Sequence, residues 1–323
     1  MTPGPRLRVL TTAVGVAAAA GMFVVLVMGA TVTDTGSAQG CGQQWPLCRG
    51  QFIPTFAVST LIEFSHRAVT AVESVLILAL AALALLFHHR RRPVQVLVPL
   101  MLLALAAQAG LGAAAVMWPE QPAVLALHFG VSLIALASTT LVAVLVTRAA
   151  ATDAATAAPG WLRAVTWAAL LYLYVLVYTG AYVRHAGAAP ACPSWPFCGS
   201  AALNPAPGEV AVNLLHRVAA GGAVLIAVGL LLAYVRLRPA RPDLVRAGWL
   251  ALAAVLAQAG AGAYLVATHW TLFGELAHAA VSGLYFTAAA YCALRVLQGR
   301  PAAALEGAPD GRRLAPPSPA LKG

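Results

Sequence analysis

Eight separate stretches of this chain stay almost wholly apolar for about 20 residues or more, the length one helix needs to cross a bilayer. They lie near 9–32, 62–87, 95–117, 122–147, 161–183, 210–235, 247–267 and 274–297. They predict an all-α integral membrane protein with eight transmembrane helices. Only 9% of the residues are charged against 61% hydrophobic, which a soluble chain of 323 residues does not match. The excess of base over acid (20 against 10) does not point to nucleic acid, because the basic residues sit in short clusters between the apolar runs. Arg6 and Arg8 before the first run resemble the start of a signal peptide, but that run is too long for one and reads as a spanning helix.

The arginines also set an orientation. Arg6, Arg8, Arg90, Arg91, Arg92, Arg148, Arg163, Arg236, Arg238, Arg241, Arg246, Arg295, Arg300, Arg312, Arg313 and Lys322 share one side of an eight-helix arrangement; Arg49, Arg67, Arg184 and Arg217 take the other. Sixteen against four places both termini in the cytoplasm of a cell membrane. The segments "CGQQWPLC" (41–48) and "CPSWPFC" (192–198) then face outward, where disulfides persist. Residues 301–323, rich in Pro, Ala, Gly and Arg, read as a disordered cytoplasmic tail.

Those two cysteine segments introduce a repeat. Trp45, Pro46 and Cys48 match Trp195, Pro196 and Cys198 at an offset of 150, and Cys41 matches Cys192 at 151. The register of 150 continues: "EFSHRAV" (63–69) over "NLLHRVA" (213–219), "AQAGLGA" (107–113) over "AQAGAGA" (257–263), and His128 over His278. Small residues match by chance in such a chain, but His, Cys and Trp do not. The reading is therefore two four-helix repeats, 1–150 and 151–300. An even number of helices in each makes them parallel, related by an axis along the membrane normal, side by side as two bundles.

His66, His128, His216 and His278 are the repeated ionisable groups inside apolar helices, and such groups are expensive to bury in a membrane. The second and fourth helices both enter from the outer side, with His66 and His128 a similar distance along them; the same holds for His216 and His278. Two imidazoles facing each other across a four-helix bundle suit the two axial positions of a b-type haem iron. Zinc competes, but asks for further Cys, His or carboxylate ligands, and a plain interhelical hydrogen bond is the bland alternative for each histidine. The small-residue stretches of the third and seventh helices admit either a flat macrocycle or a neighbouring helix. Arg67 and Arg217 follow their histidines directly and suit haem propionates or the membrane interface. His88 and His89 belong to the solvated "HHRRR" run, His185 and His269 have no repeated partner, and Cys292 reads as an inert buried thiol.

The halves differ at one telling position. Glu63 stands three residues before His66 on nearly the same helix face, and its counterpart is Asn213. A carboxylate beside a metal ligand suits proton transfer or charge stabilisation, against a helix-start acid as the alternative. On that reading the N-terminal half is the reactive one.

On the eight helices in two repeats, the "EFSHR" motif, the four repeated histidines and the paired outer cysteines, the chain over about 9–297 resembles bacterial haem A synthases. The resemblance implies a membrane oxidoreductase that oxidises a ring methyl of haem O to a formyl group by successive hydroxylations, giving haem A for cytochrome oxidase. It implies haem b on His216 and His278, with Arg217 beside it, and haem O on His66 and His128, with Arg67 beside it and Glu63 catalytic. It further implies Cys41–Cys48 and Cys192–Cys198 disulfides, whose short spacing permits closure, the first with a redox role or a purely structural one, the second a staple. A haem O synthase as supplier, a quinone or other electron acceptor, membrane lipid and a homo-oligomeric state are the partners that go with it; nucleic acid is not. A di-haem electron carrier without chemistry on haem explains the histidines but not the Glu63/Asn213 difference, and a transporter asks for polar residues at the midplane instead.

Overall fold

The computed structural model describes residues 4–48, 50–51, 57–118, 121–147, 156–199 and 208–299. Arg49, Arg148, Arg300 and the tail 301–323 therefore lie outside the described residues.

Among the described residues eight helices are long and apolar enough to cross a membrane: α1 (Pro5–Asp34), α2 (Val58–His88), α3 (Arg92–Met117), α4 (Pro122–Thr147), α5 (Gly160–His185), α6 (Glu209–Arg236), α7 (Pro242–Ala267) and α8 (Leu272–Leu297). Every apolar run of the sequence is one of these helices. Several extend beyond the run, since a helix does not stop where its side chains become polar. α7 begins at Pro242, five residues ahead of the hydropathic edge, with a proline in its first turn and Asp243 beside its positive end. α8 starts one residue past Thr271, whose side chain accepts from the Gly274 amide.

In a bilayer, lipid is as apolar as leucine, so helices associate through close packing rather than through burial from water. The centre accordingly goes to the helices rich in small residues. α4 buries Ala126, Gly130, Ser132, Ala135, Ala137 and Ser138; α8 buries Ala279, Ser282, Gly283, Ala288 and Ala290. α4 and α8 touch each other, and both touch α1 and α5. α2 and α3 close the first set on one flank, α6 and α7 the second on the other, with α3 on α4 and α7 on α8 in the same way.

The end of the bundle opposite the cysteine loops is closed by ions. Arg241, 1% exposed, pairs with Asp243 and donates to the carbonyls of Thr156 and Arg295. Arg295 completes the cluster by binding the same Asp243. Two of the arginines counted for orientation are thus committed to a buried network rather than to solvent. Near the cysteine-loop end, Arg184 of α5 forms an ion pair with Asp34, the last residue of α1.

Candidate functional site

Each second helix of a set carries a clamp for the loop before it. In the first set, Cys41 and Cys48 form a disulfide, and the loop they close folds down onto the start of α2. The Cys41 amide donates to Glu63 Oε2 at 2.7 Å, and Thr60 Oγ1 donates to the Gly40 carbonyl at 2.7 Å. Arg67 Nη1 donates to the carbonyls of Gln44 (2.9 Å) and Leu47 (3.1 Å), while Nη2 pairs with Glu63 Oε1. In the second set Cys192 and Cys198 form the disulfide. Arg217 donates to the carbonyls of Ser194 and Cys192, and Asn213 Nδ2 donates to the Ala188 carbonyl at 2.7 Å. Arg67 and Arg217 therefore tie down their loops through the loop carbonyls, and Glu63 and Asn213 do equivalent anchoring with opposite hydrogen-bond polarity. An ionised acid can only accept, so it meets an N–H; an amide can donate, so it meets a C=O.

The loop is held close at Gly40. A methyl group there would lie 2.4 Å from the Ser59 carbonyl oxygen and 2.7 Å from the Thr60 amide nitrogen, both backbone atoms that cannot swing away. We expect Gly40→Ala to lift the first loop, at a cost of about 1–3 kcal/mol for overpacking. The check is the rate at which Cys41–Cys48 is reduced by added dithiothreitol. Faster reduction than in the wild type is expected, with the rate at Cys192–Cys198 as internal control.

Below the loops lie the four histidines. His66 is on α2 and His128 on α4 of the first set, His216 on α6 and His278 on α8 of the second. Each ring lies against a glycine of the neighbouring helix: a methyl on Gly29 would sit 3.4 Å from His66 Cε1, on Gly112 3.5 Å from His128, on Gly180 2.5 Å from His216, and on Gly262 3.3 Å from His278. Gly112 and Gly262 belong to the matching stretches of α3 and α7, so part of the small-residue pattern serves to admit an imidazole.

Two glutamines of those stretches had no role assigned from the sequence. Gln258 lies one turn before Gly262, and its Nε2 is 3.3 Å from Nδ1 and 3.2 Å from Nε2 of His278. Gln108, its counterpart, bonds the Ser132 hydroxyl of α4 and, with its amide turned over, comes 2.8 Å from His128 Nδ1. Their shared register was the available signal. On α6, Thr179 of α5 reaches His216 Nδ1 at 3.3 Å. Glu73 was also passed over. Seven residues after His66 and so on nearly the same face of α2, it is 3% exposed, with neither carboxylate oxygen hydrogen-bonded among the described residues, and it fits against α1 because position 21 is glycine. Cys292 is free and buried.

This donor set fits a haem iron held from both sides. Each pair supplies imidazoles from two helices of one set, and the ring nitrogen Nδ1 of His66 is buried without a partner. A glutamine or threonine beside a ring fixes its tilt, as outer partners of metal-bound histidines do. Among the described residues no cluster of three or more His, Cys, Asp or Glu is assembled.

A helical membrane protein with two facing-histidine sites beneath disulfide-closed loops is the class that fold and site define. Comparison with known proteins agrees: the family described as "Cytochrome oxidase assembly protein" matches residues 12–290, and the chain belongs to that family. It is 37% identical over 281 residues to a protein of Exiguobacterium sibiricum, covering 86% of this chain and 93% of that one. It is 38% identical to one of Geobacillus kaustophilus (86% and 89% covered) and 37% identical to one of Symbiobacterium thermophilum (89% and 96%). All three relatives are named heme A synthase.

Proposed function

We propose that the protein is a haem A synthase, a membrane oxidoreductase that takes haem O as substrate and converts one ring methyl to a formyl group. The observation that carries this reading is the pair of facing-histidine sites in one register, with an acid at position 63 of the first and an amide at 213 of the second. The relatives named heme A synthase support it. The halves 1–150 and 151–300 are read as parallel repeats, the first reactive, the second an electron outlet.

His66 and His128 would hold the substrate, haem O, through its iron. His216 and His278 would hold haem b, which would supply a one-electron acceptor beside the substrate half. The rest of the work falls to the chain. Gln108 and Gln258 orient the rings on α4 and α8. The loops, tied down by Arg67 and Arg217, cover the sites and keep bulk water from the reacting edge. With water as the oxygen donor, converting a methyl to a formyl group (R–CH3 + H2O → R–CHO + 4 H+ + 4 e−) releases protons as well as electrons, the electrons leaving one at a time through the second half to the external acceptor. Glu63, three residues from His66 and nearly buried, is the group placed to accept them or to balance positive charge. Because Glu63 Oε2 also receives the Cys41 amide, opening of the first disulfide would alter the acid's surroundings, which gives that pair a route to a redox role. The termini are assigned to the cytoplasm from the arginine distribution. A haem O synthase as supplier and a quinone or other acceptor complete the scheme.

The test is Glu63→Gln beside Glu63→Ala. Gln keeps an oxygen for the Cys41 amide but has no carboxylate, so it is expected to keep bound haem and the loop yet lose haem A output by on the order of 100-fold, within the range for a lost general acid or base. Extracted haems are separated by chromatography and weighed. Undiminished haem A from Glu63→Gln would leave Glu63 as a loop anchor only. Haem b alone in the wild type, filling both halves, would make the protein an electron carrier.

A further inference from the structure

At the end of the bundle away from the cysteine loops, a side-opening cleft of about 1820 Å³ is lined by residues of α3, α4, α5, α7 and α8. That is well beyond the roughly 300–1,000 Å³ of an ordinary small-molecule pocket. Its walls are apolar, with Leu100, Leu171 and Leu250 exposed along the opening. Its rim is basic. Arg90, Arg92 and Arg246 line it, are exposed, and form no ion pair or side-chain hydrogen bond with another described residue. The other rim ions are already committed: Arg91 to the Leu145 carbonyl, Arg295 to Asp243. Three free positive charges thus face a cleft whose single acid is neutralised twice over, by Arg241 and Arg295.

The cleft also has the depth of one membrane leaflet. From Leu145 at the rim to Ile134 near the floor is eleven residues of α4, or about 16 Å at 1.5 Å per residue. Half of a hydrocarbon core is about 15 Å. The Tyr174–Phe286 ring pair, centroids 6.1 Å apart, lies at that floor.

We propose that this cleft is a binding site for an anionic glycerophospholipid. Its acyl chains lie between the two halves and its phosphate rests among Arg90, Arg92 and Arg246. Basic pockets between spanning helices recognise acidic headgroups in this way. A neutral isoprenoid fits the walls but leaves the three arginines unanswered, so charge complementarity selects the phospholipid. With the termini cytoplasmic, the lipid comes from the inner leaflet; the binding itself rests on neither that orientation nor the proposed reaction.

The full-length protein, purified in mild detergent and stripped of lipid, is titrated with phosphatidylglycerol and, separately, with phosphatidylcholine while bound lipid is counted by native mass spectrometry. Phosphatidylglycerol is expected to bind at least about tenfold more tightly, since basic residues beside an anionic headgroup each add to its attraction. The triple variant Arg90→Gln/Arg92→Gln/Arg246→Gln is expected to lose that preference, whereas Arg163→Gln/Arg238→Gln, outside the cleft, keeps it. Ala168→Trp, which fills the cleft without touching charge, should lower binding of both lipids. Equal binding of the two lipids, retention of the preference by the triple variant, or displacement of the lipid by a short-tailed quinone or by haem would overturn the proposal. Haem content and haem A output, read on the same samples, report separately on the proposed function.

Discussion

Replacing His216 or His278 by alanine should leave the purified protein without haem b, while His66→Ala or His128→Ala should leave haem b in place and abolish haem A. The asymmetry follows from the pairing: each site draws its two rings from its own set of four helices, α2 with α4 and α6 with α8. Losing an outer partner of a metal-bound histidine typically costs about 10–100-fold in metal affinity, so losing the ring itself costs more. Gln258→Leu then calibrates the scale. It removes the amide within 3.3 Å of His278 without removing a ligand, and haem b retention should fall by about tenfold. Reduced-minus-oxidised spectra and extracted haem measure both outcomes. If any one of the four histidine substitutions emptied both halves together, the sites would be a single interdependent unit, and assigning substrate and relay to separate halves would fail.

Much of the architecture was legible because a bilayer makes the code simple. Each apolar run had to be a helix, and all eight are. The pairing of His66 with His128 and of His216 with His278 is an expectation from counting residues from one membrane face; the structure places all four on membrane-spanning helices, His66 on α2, His128 on α4, His216 on α6 and His278 on α8. Contacts made between helices rather than along them were not legible. Arg67 and Arg217 looked like partners for propionates because they adjoin the histidines. One residue along a helix turns the side chain by about 100°, and what the sequence did not reveal is that their guanidinium groups donate to the loop carbonyls. The amide at 213 looked like a simple absence of acid, yet it anchors its own loop. The two glutamines carry polarity on helix faces and find their partners on distant segments, and Glu73 is buried against α1 with neither carboxylate oxygen hydrogen-bonded among the described residues.

Asp34 and Arg184 show what the register implies once a structure is present. They occupy equivalent positions, 150 residues apart, and form an ion pair with each other. Under the proposed repeats a residue can meet its own counterpart only beside the axis that relates the halves, so this pair marks that axis near the cysteine-loop end. It also shows why the halves cannot be identical there: two aspartates or two arginines at the axis would repel, and one of each attracts. Asp34 is nearly buried, its side chain 3% exposed, while Arg184 keeps 25% of its own open. Removing one partner of a buried pair costs 3–5 kcal/mol, and the partial exposure of Arg184 puts Asp34→Asn or Arg184→Gln near the low end, about 3 kcal/mol. The exchanged protein, Asp34→Arg with Arg184→Asp, should recover most of that loss, because an axis position does not distinguish which half carries which charge. Thermal unfolding in detergent of the wild type, both single variants and the exchange forms a cycle whose coupling energy isolates the pair. Single variants that unfold with the wild type would show that the axis is held by α4 and α8 alone. An exchange variant as unstable as either single one would mean that Arg184 is fixed by its surroundings in the second half, where Glu275 of α8 is a second acid that attracts it.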